Sequence, residues 1–271
     1  MTTASRQDET HPVKKDYFWL NLRELPYFRA LVRAVESAYY QDYPLEEPTL
    51  DVGCGDGHFA RITFDKPIQV GIDPWWAPLH KANQGQYEMV IQCDGAKSPF
   101  EGQHFGSAVS NSVLEHFPHV REVLKETGRV LKPGALFLFC VPNTRYLTEL
   151  SIAGSFRKIG LKGLADWYTE WFRSISRVAH AVDQPVWEGW LEDAGFDLVK
   201  AWDYFSPEAM HTLEWGHYFG APTVLAKLLF GRWIIAQTHW NLAITDSIIR
   251  PYASLEPHAK GTFTFYIARK K

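Results

Sequence analysis

Apolar residues along the chain change period several times, and each change marks an element. Phe28, Leu31, Val32, Val35, Ala38 and Tyr39 fall on one face at helical spacing. Pro26 opens that helix and Pro44 and Pro48 close it. Short apolar runs then predict strands near 48–52, 68–72, 88–92, 105–110 and 135–141, with helical patterns near 57–64, 75–83 and 118–130 between them. Strand alternating with helix implies a parallel sheet with helices on both faces. After Pro142 the rhythm breaks for about 40 residues. There Trp167, Trp171, Phe172, Ile175, Val178, Ala179 and Val182 predict one apolar helix face, with Thr169, Glu170, Arg173, Ser174 and Arg177 opposite. A helix at 187–196 and a strand at 198–202 resume the alternation, and a second inserted stretch, 206–260, precedes a last strand at 262–268.

The expected organisation is a tail over 1–15, an α/β core over 16–142, 185–205 and 261–271, and two helical insertions, 143–184 and 206–260, forming a cap. Eight of the eleven tryptophans lie after residue 150, which suits a cap that walls a pocket for an aromatic or lipid-like molecule. Packing between cap and sheet is the alternative for each single tryptophan. Residues 222–236 carry Val224, Leu225, Leu228, Leu229 and Trp233, interrupted by Lys227 and Arg232. They suit a bilayer surface, although base rates favour internal packing or a second subunit, and a homodimer through the cap is open.

Charge narrows the partners. The net charge is −3, with 15 basic and 19 acidic residues up to residue 150 and 13 and 12 after it, so neither part has the cationic excess of a nucleic-acid binder. Cys54, Cys93 and Cys140 lack metal-ligand spacing and read as buried small hydrophobes, so no metal site is expected. The first sixteen residues are polar, unlike a secretory leader, and no apolar run reaches the ~18 residues of a spanning helix. A cytoplasmic protein is expected.

The chemistry concentrates at the strand ends. Leu50-Asp51-Val52-Gly53-Cys54-Gly55-Asp56-Gly57 reads as a strand, a glycine turn and a helix start. Asp73 closes the second strand in Val70-Gly71-Ile72-Asp73-Pro74, and Cys93-Asp94-Gly95, with Ser98-Pro99-Phe100 behind it, follows the third. Ser110-Asn111-Ser112-Val113-Leu114-Glu115-His116 follows the fourth, and Val130 to Leu136 turns into the fifth. A dinucleotide fingerprint would need glycine where His58 stands, which disfavours NAD.

Five motifs in this order resemble the class I S-adenosylmethionine-dependent methyltransferases over about residues 48–142, with weaker echoes at 187–203 and 261–269. The resemblance is nearest to the small-molecule and lipid branch, including quinone-biosynthesis enzymes. It implies a Rossmann-like, mostly parallel seven-stranded sheet, S-adenosylmethionine as cofactor and S-adenosylhomocysteine as product. It places Gly53, Cys54 and Gly55 against the amino-acid portion, with Asp51 attracting its ammonium. Asp73, with Pro74, accepts the ribose hydroxyls or caps the next helix. Trp75 or Trp76 stacks on the nucleoside or lies on the surface. Asp94 and Gly95 meet the adenine, or Asp94 shapes a turn. Asn111 and Ser112 contact the methionine portion or cap the strand. His116 is the first choice for a general base, against a purely structural turn; His119, His211, His217, Tyr146, Tyr168 and Tyr218 are rivals. Ala135 stands where the family commonly has a second glycine. The implied function is methyl transfer to a small, apolar or lipid-like acceptor. The alternative is a cofactor-binding sensor or scaffold without turnover.

Overall fold

A computed structural model describes residues 15–82 and 85–271. The strands are β1 (Thr49–Val52), β2 (Ile68–Asp73), β3 (Tyr87–Gln92), β4 (Phe105–Asn111), β5 (Leu131–Pro142), β6 (Phe196–Tyr204) and β7 (Phe263–Lys270). They form one sheet in the order β3-β2-β1-β4-β5-β7-β6. All neighbours are parallel except β7, which runs antiparallel to β5 and β6. This is the mostly parallel seven-stranded sheet expected, and β1 and β4, its centre, are buried along their whole length.

The helices are α1 (Tyr17–Leu22), α2 (Tyr27–Gln41), α3 (His58–Thr63), α4 (Trp76–Ala82), α5 (Val120–Val130), α6 (Arg145–Thr148), α7 (Ser151–Lys158), α8 (Lys162–Ser176), α9 (Gln184–Asp193), α10 (Pro207–Phe219), α11 (Ala221–Phe230) and α12 (His239–Ile249). Helices α5 and α9 supply Val123, Leu124, Trp187 and Leu191 to the core on one sheet face. Helices α1 to α4 and most of the later ones pack a second core on the other face. Ligand-facing residues at the carboxyl ends of β1 to β4 therefore share one edge, where strand order reverses between β1 and β4.

Several sequence expectations change. The expected tail, residues 1–15, lies outside the described residues except for Lys15, whose ammonium pairs with Asp65 at 2.6 Å. Helix α1 was not read from the sequence, because six residues are too few for a period. The expected helix at 75–83 is described over 76–82, and residue 83 lies outside the described residues.

The expected face of α8 is wrong. Ala165, Tyr168 and Phe172 are its buried residues, while Trp167 is 61% exposed and Trp171 and Ile175 are also exposed. The helix stops at Ser176, with Arg177 in the left-handed region, so Val178, Ala179 and Val182 are not on it. An apolar stripe wider than one contact leaves the choice of its buried part to the neighbours, and Tyr168 is drawn inward by Glu214 at 2.8 Å. Of the two readings favoured for 222–236, internal packing or a second subunit, the first does not hold for its helix: none of the described side chains of α11 is buried.

Candidate functional site

The glycine turn is built against β2. The amides of Gly53 and Cys54 both donate to the carbonyl of Ile72, at 2.8 and 3.0 Å. Gly53 has φ +82, and a Cβ there would come within 2.3 Å of Val113, so no other residue fits without moving that side chain. Gly55 has φ +57 and a Cβ would meet nothing within 4 Å. The turn is thus packed at Gly53 and open at Gly55, which leaves a backbone cradle at the strand ends. The Cys54 side chain is buried in the wall against Gly71 and Tyr87, and burial pushes its thiol well above the usual range.

Asp73 holds this cradle in shape. Its Oδ2 accepts from the Gly55 amide at 3.0 Å and its Oδ1 from the Trp75 amide at 2.8 Å. Burial raises its pKa, against those two amides. Helix α4 begins only at Trp76, so Asp73 braces the turn before it and does not cap its first-turn amides, and lone pairs remain on both oxygens, since a carboxylate offers about four acceptor sites. Asp51 is buried and accepts from the Tyr87 hydroxyl at 2.6 Å. Desolvation pushes its pKa up to about 7, opposed by the Tyr87 hydrogen bond and Arg33.

Asp94 is exposed and makes an Asx turn, accepting from the Ala96 amide at 2.9 Å, and Gly95 lies buried beside it. Pro74 offers its carbonyl to Gln92 at 3.1 Å. Trp75 and Trp76 are both largely exposed, which is the surface alternative in this structure.

Asn111 and Ser112 face an acid that the sequence reading did not single out. Glu36, fully buried on α2, accepts from Asn111 Nδ2 at 2.8 Å, Ser112 Oγ at 2.7 Å and Tyr204 Oη at 3.0 Å. Both strand-end residues are thus committed to a protein partner, and only Asn111 Oδ1 remains buried without one. Arg33, one turn back, donates to the Asn111 carbonyl at 3.1 Å and lies 3.8 Å from Glu36. Glu36 and Arg33 sit three apart on α2, on the side carrying Val32 and Tyr40. A charged pair on an apolar face was the signal that could have flagged them.

The turn after β4 is latched to the chain following α8. The Glu115 carbonyl accepts from the Ala179 and His180 amides at 2.9 and 3.0 Å. His116 Nδ1 lies 2.9 Å from the Arg177 carbonyl, and His180 Nε2 lies 2.9 Å from the Phe117 carbonyl. A carbonyl only accepts, so His116 Nδ1 carries the proton and Nε2 presents a lone pair when the ring is neutral. Desolvation holds this pKa below the usual histidine value, although the side chain is 42% exposed at its outer edge. The Glu115 side chain is buried with Oε2 unpartnered, and desolvation pushes its pKa up to about 8.

The rivals are otherwise engaged. Tyr168 bonds Glu214 and Tyr218, at 2.8 and 2.6 Å. Glu214 in turn caps α7 through the Ser151 and Ile152 amides. His217 Nδ1 lies 3.1 Å from the Leu213 carbonyl and packs on Phe28. Tyr146 is buried, His119 is exposed, and His211 lines a groove away from the glycine turn.

The two buried acids fix a pH dependence. Glu115 and Asp51 have folded-state pKa values of about 8 and about 7, above the ordinary 4.5 and 3.8. The folded chain therefore binds more protons than the unfolded one between those limits, and stability falls as pH rises through that window. Urea midpoints are expected to drop between about pH 5 and about pH 8.5, and Glu115→Gln to make the drop smaller. An unchanged slope in that variant would refute the assignment to Glu115.

Comparison with known proteins gives a consistent picture. A family model described as "Methyltransferase domain" matches residues 23–201. An uncharacterized methyltransferase of Mycobacterium tuberculosis is 30% identical over 111 residues, 40% of this chain and 44% of that protein. The matched region thus spans less than half the length of that curated relative. Among solved structures, a possible histamine N-methyltransferase from Thermotoga maritima superposes with TM-score 0.56 at 14% identity, over 90% of this chain and 91% of that one. The geranyl diphosphate C-methyltransferase from Streptomyces coelicolor, solved with Mg2+, geranyl diphosphate and S-adenosyl-L-homocysteine, gives 0.55 at 13% identity, over 90% and 84%. At these identities the structural likeness is one of fold.

Proposed function

The chain belongs to the methyltransferase-domain family, and from that premise we propose that it transfers the methyl group of S-adenosylmethionine to a small, apolar or lipid-like acceptor. The observation that carries the reading is the cradle itself. Gly55 is open, its amide is tied to Asp73, and Asp51, Asp73 and Asp94 stand at the ends of three adjacent strands. Bound there, the sulfonium cofactor supplies an activated methyl group.

The chain's residues divide the remaining work. Asp73 would take the ribose hydroxyls on its free lone pairs while keeping the Gly55 and Trp75 amides. The Asp94 turn would border the adenine. The cofactor's ammonium beside Asp51 would draw that buried acid back to its charged form, opposing the desolvation that raises its pKa. Arg33, on the same side of the sheet, suits the cofactor's carboxylate. Asn111 and Ser112 would act by holding α2 and its Arg33 in place through Glu36.

His116 would take a proton from a hydroxyl acceptor. Its Nδ1 contact with the Arg177 carbonyl leaves Nε2 as the basic atom, and its lowered pKa keeps the ring neutral near pH 7. His116→Gln is expected to lower turnover about a hundredfold and leave S-adenosylhomocysteine affinity unchanged. Undiminished turnover would remove the base role.

The test of the proposal is a calorimetric titration with S-adenosylhomocysteine, with NAD as control, followed by turnover on extracts fractionated by polarity. Binding of the first and not the second supports the cofactor assignment, and binding of neither refutes it. Tight binding with no turnover on any fraction would favour the sensor reading.

A further inference from the structure

The helices after β6 expose far more apolar surface than folding requires. On α11, Leu225, Leu228 and Leu229 are 62%, 77% and 74% exposed. On α12, Trp240 and Ile244 are 78% and 76% exposed. The exposure continues across helices. Ring centroids step from Trp167 to Trp171 at 6.4 Å, from Trp171 to Tyr218 at 6.1 Å, from Tyr218 to Trp215 at 5.9 Å and from Trp215 to Phe219 at 5.8 Å. That ladder joins the outer edge of α8 to that of α10. Trp215 and Phe219 then border a groove of about 550 Å³ whose far wall is Ile244 and Ile248 of α12. Exposed apolar side chains thus run from α8 across α10 to α12, and α11 follows α10 directly in the chain; contiguous exposed apolar surface of this kind marks an interaction site.

Charge identifies what covers it. From Trp215 to Thr245 there is no aspartate or glutamate, while Lys227 and Arg232 lie between. Three nearby carboxylates are already paired, Asp246 with Arg250 at 2.9 Å, Asp166 with Arg157 at 3.5 Å and Glu170 with Arg173 at 3.8 Å, and Glu208 stands on the α10 wall of the groove, outside the stretch that carries the cations. A twofold pairing of two copies through this stretch would gather Lys227 and Arg232 of both copies into one seam with no acid of the stretch to answer them. An anionic lipid surface answers them directly, and aromatic rings with a wet edge belong at that boundary. Among the described residues no helix is long and apolar enough to cross a membrane, so the contact is one of lying on the surface.

We propose that the outer face of α10, α11 and α12, continued by the exposed edge of α8, docks on an anionic bilayer, with Leu225, Leu228 and Leu229 entering the headgroup–acyl boundary. The groove between α10 and α12 then opens toward the lipid phase. Tyr27 of α2 also lines the groove, and Arg33, which bonds the end of β4, stands six residues along that helix, a rise of about 9 Å at 1.5 Å per residue. This inference does not depend on the identity of the methyl acceptor.

The experiment is co-sedimentation of the full chain with phosphatidylcholine vesicles, with and without phosphatidylglycerol, alongside a sedimentation-velocity run without lipid. The chain is expected to pellet with the anionic vesicles. The double variant Leu225→Asp with Leu229→Asp should reduce the bound fraction at least about tenfold. Both side chains are exposed, so the variant should keep the wild-type melting curve and S-adenosylhomocysteine affinity; that titration, run on the same samples, keeps failure of the cofactor reading separate from failure of this one. Wild-type protein remaining in the supernatant would overturn the proposal. If it is then dimeric without lipid, the face is an interface between copies. Vesicle binding unchanged in the folded variant would overturn it equally.

Discussion

Asp73→Ala is expected to weaken S-adenosylhomocysteine binding about a thousandfold, about 4 kcal/mol. Two losses combine. The ribose hydroxyls would lose a carboxylate acceptor, and hydrogen bonds to charged groups are worth about 1.5–3 kcal/mol each. The Gly55 and Trp75 amides also lose their acceptor, so the open part of the cradle loses its tie to β2. Asp73→Asn should fall between the two proteins, because an amide oxygen can keep one backbone amide and one hydroxyl. Calorimetry on both variants checks this. Equal affinity for wild type and Asp73→Ala would mean that the cofactor's ribose lies elsewhere.

Glu36→Ala is expected to destabilise the fold by about 4 kcal/mol. The change takes the shared acceptor from three donors, on buried Asn111 and Tyr204 and half-buried Ser112. A buried donor left without a partner costs about 1–3 kcal/mol, and the empty space adds a cavity term. Glu36→Gln should cost less than half as much, since one carbonyl oxygen remains. Tyr204→Phe, which removes one donor rather than the acceptor, should cost about 1 kcal/mol. Urea denaturation of the three variants gives the series. A loss near 1 kcal/mol for Glu36→Ala would show that the cluster does not hold α2 to the strand ends.

The core was legible because its signals are local. Strands β1, β2, β3 and β4 fall within one residue of the apolar runs that predicted them, and the glycine turn declares itself by conformations that only glycine enters readily. The partnership of Asn111 and Ser112 with Glu36 was not legible. Those residues lie 75 and 76 positions apart in the chain, and nothing near either one announces the other. The same holds for Asp51 and Tyr87, which meet across two strands.

The inserted helices mark the boundary most clearly. Sequence alone determined that α8 and α11 are helices rich in apolar residues, because period and composition are properties of the segment. Which side of each helix meets water was decided by tertiary structure. On α8 two apolar stripes lie next to each other, and the hydrogen bond from Tyr168 to buried Glu214 turned the narrower one inward. On α11 the surrounding helices left no face to bury against. The hydrophobic effect is non-directional: a stretch of chain carries its need for burial in its composition, but only the assembled neighbours determine where, or whether, that need is met.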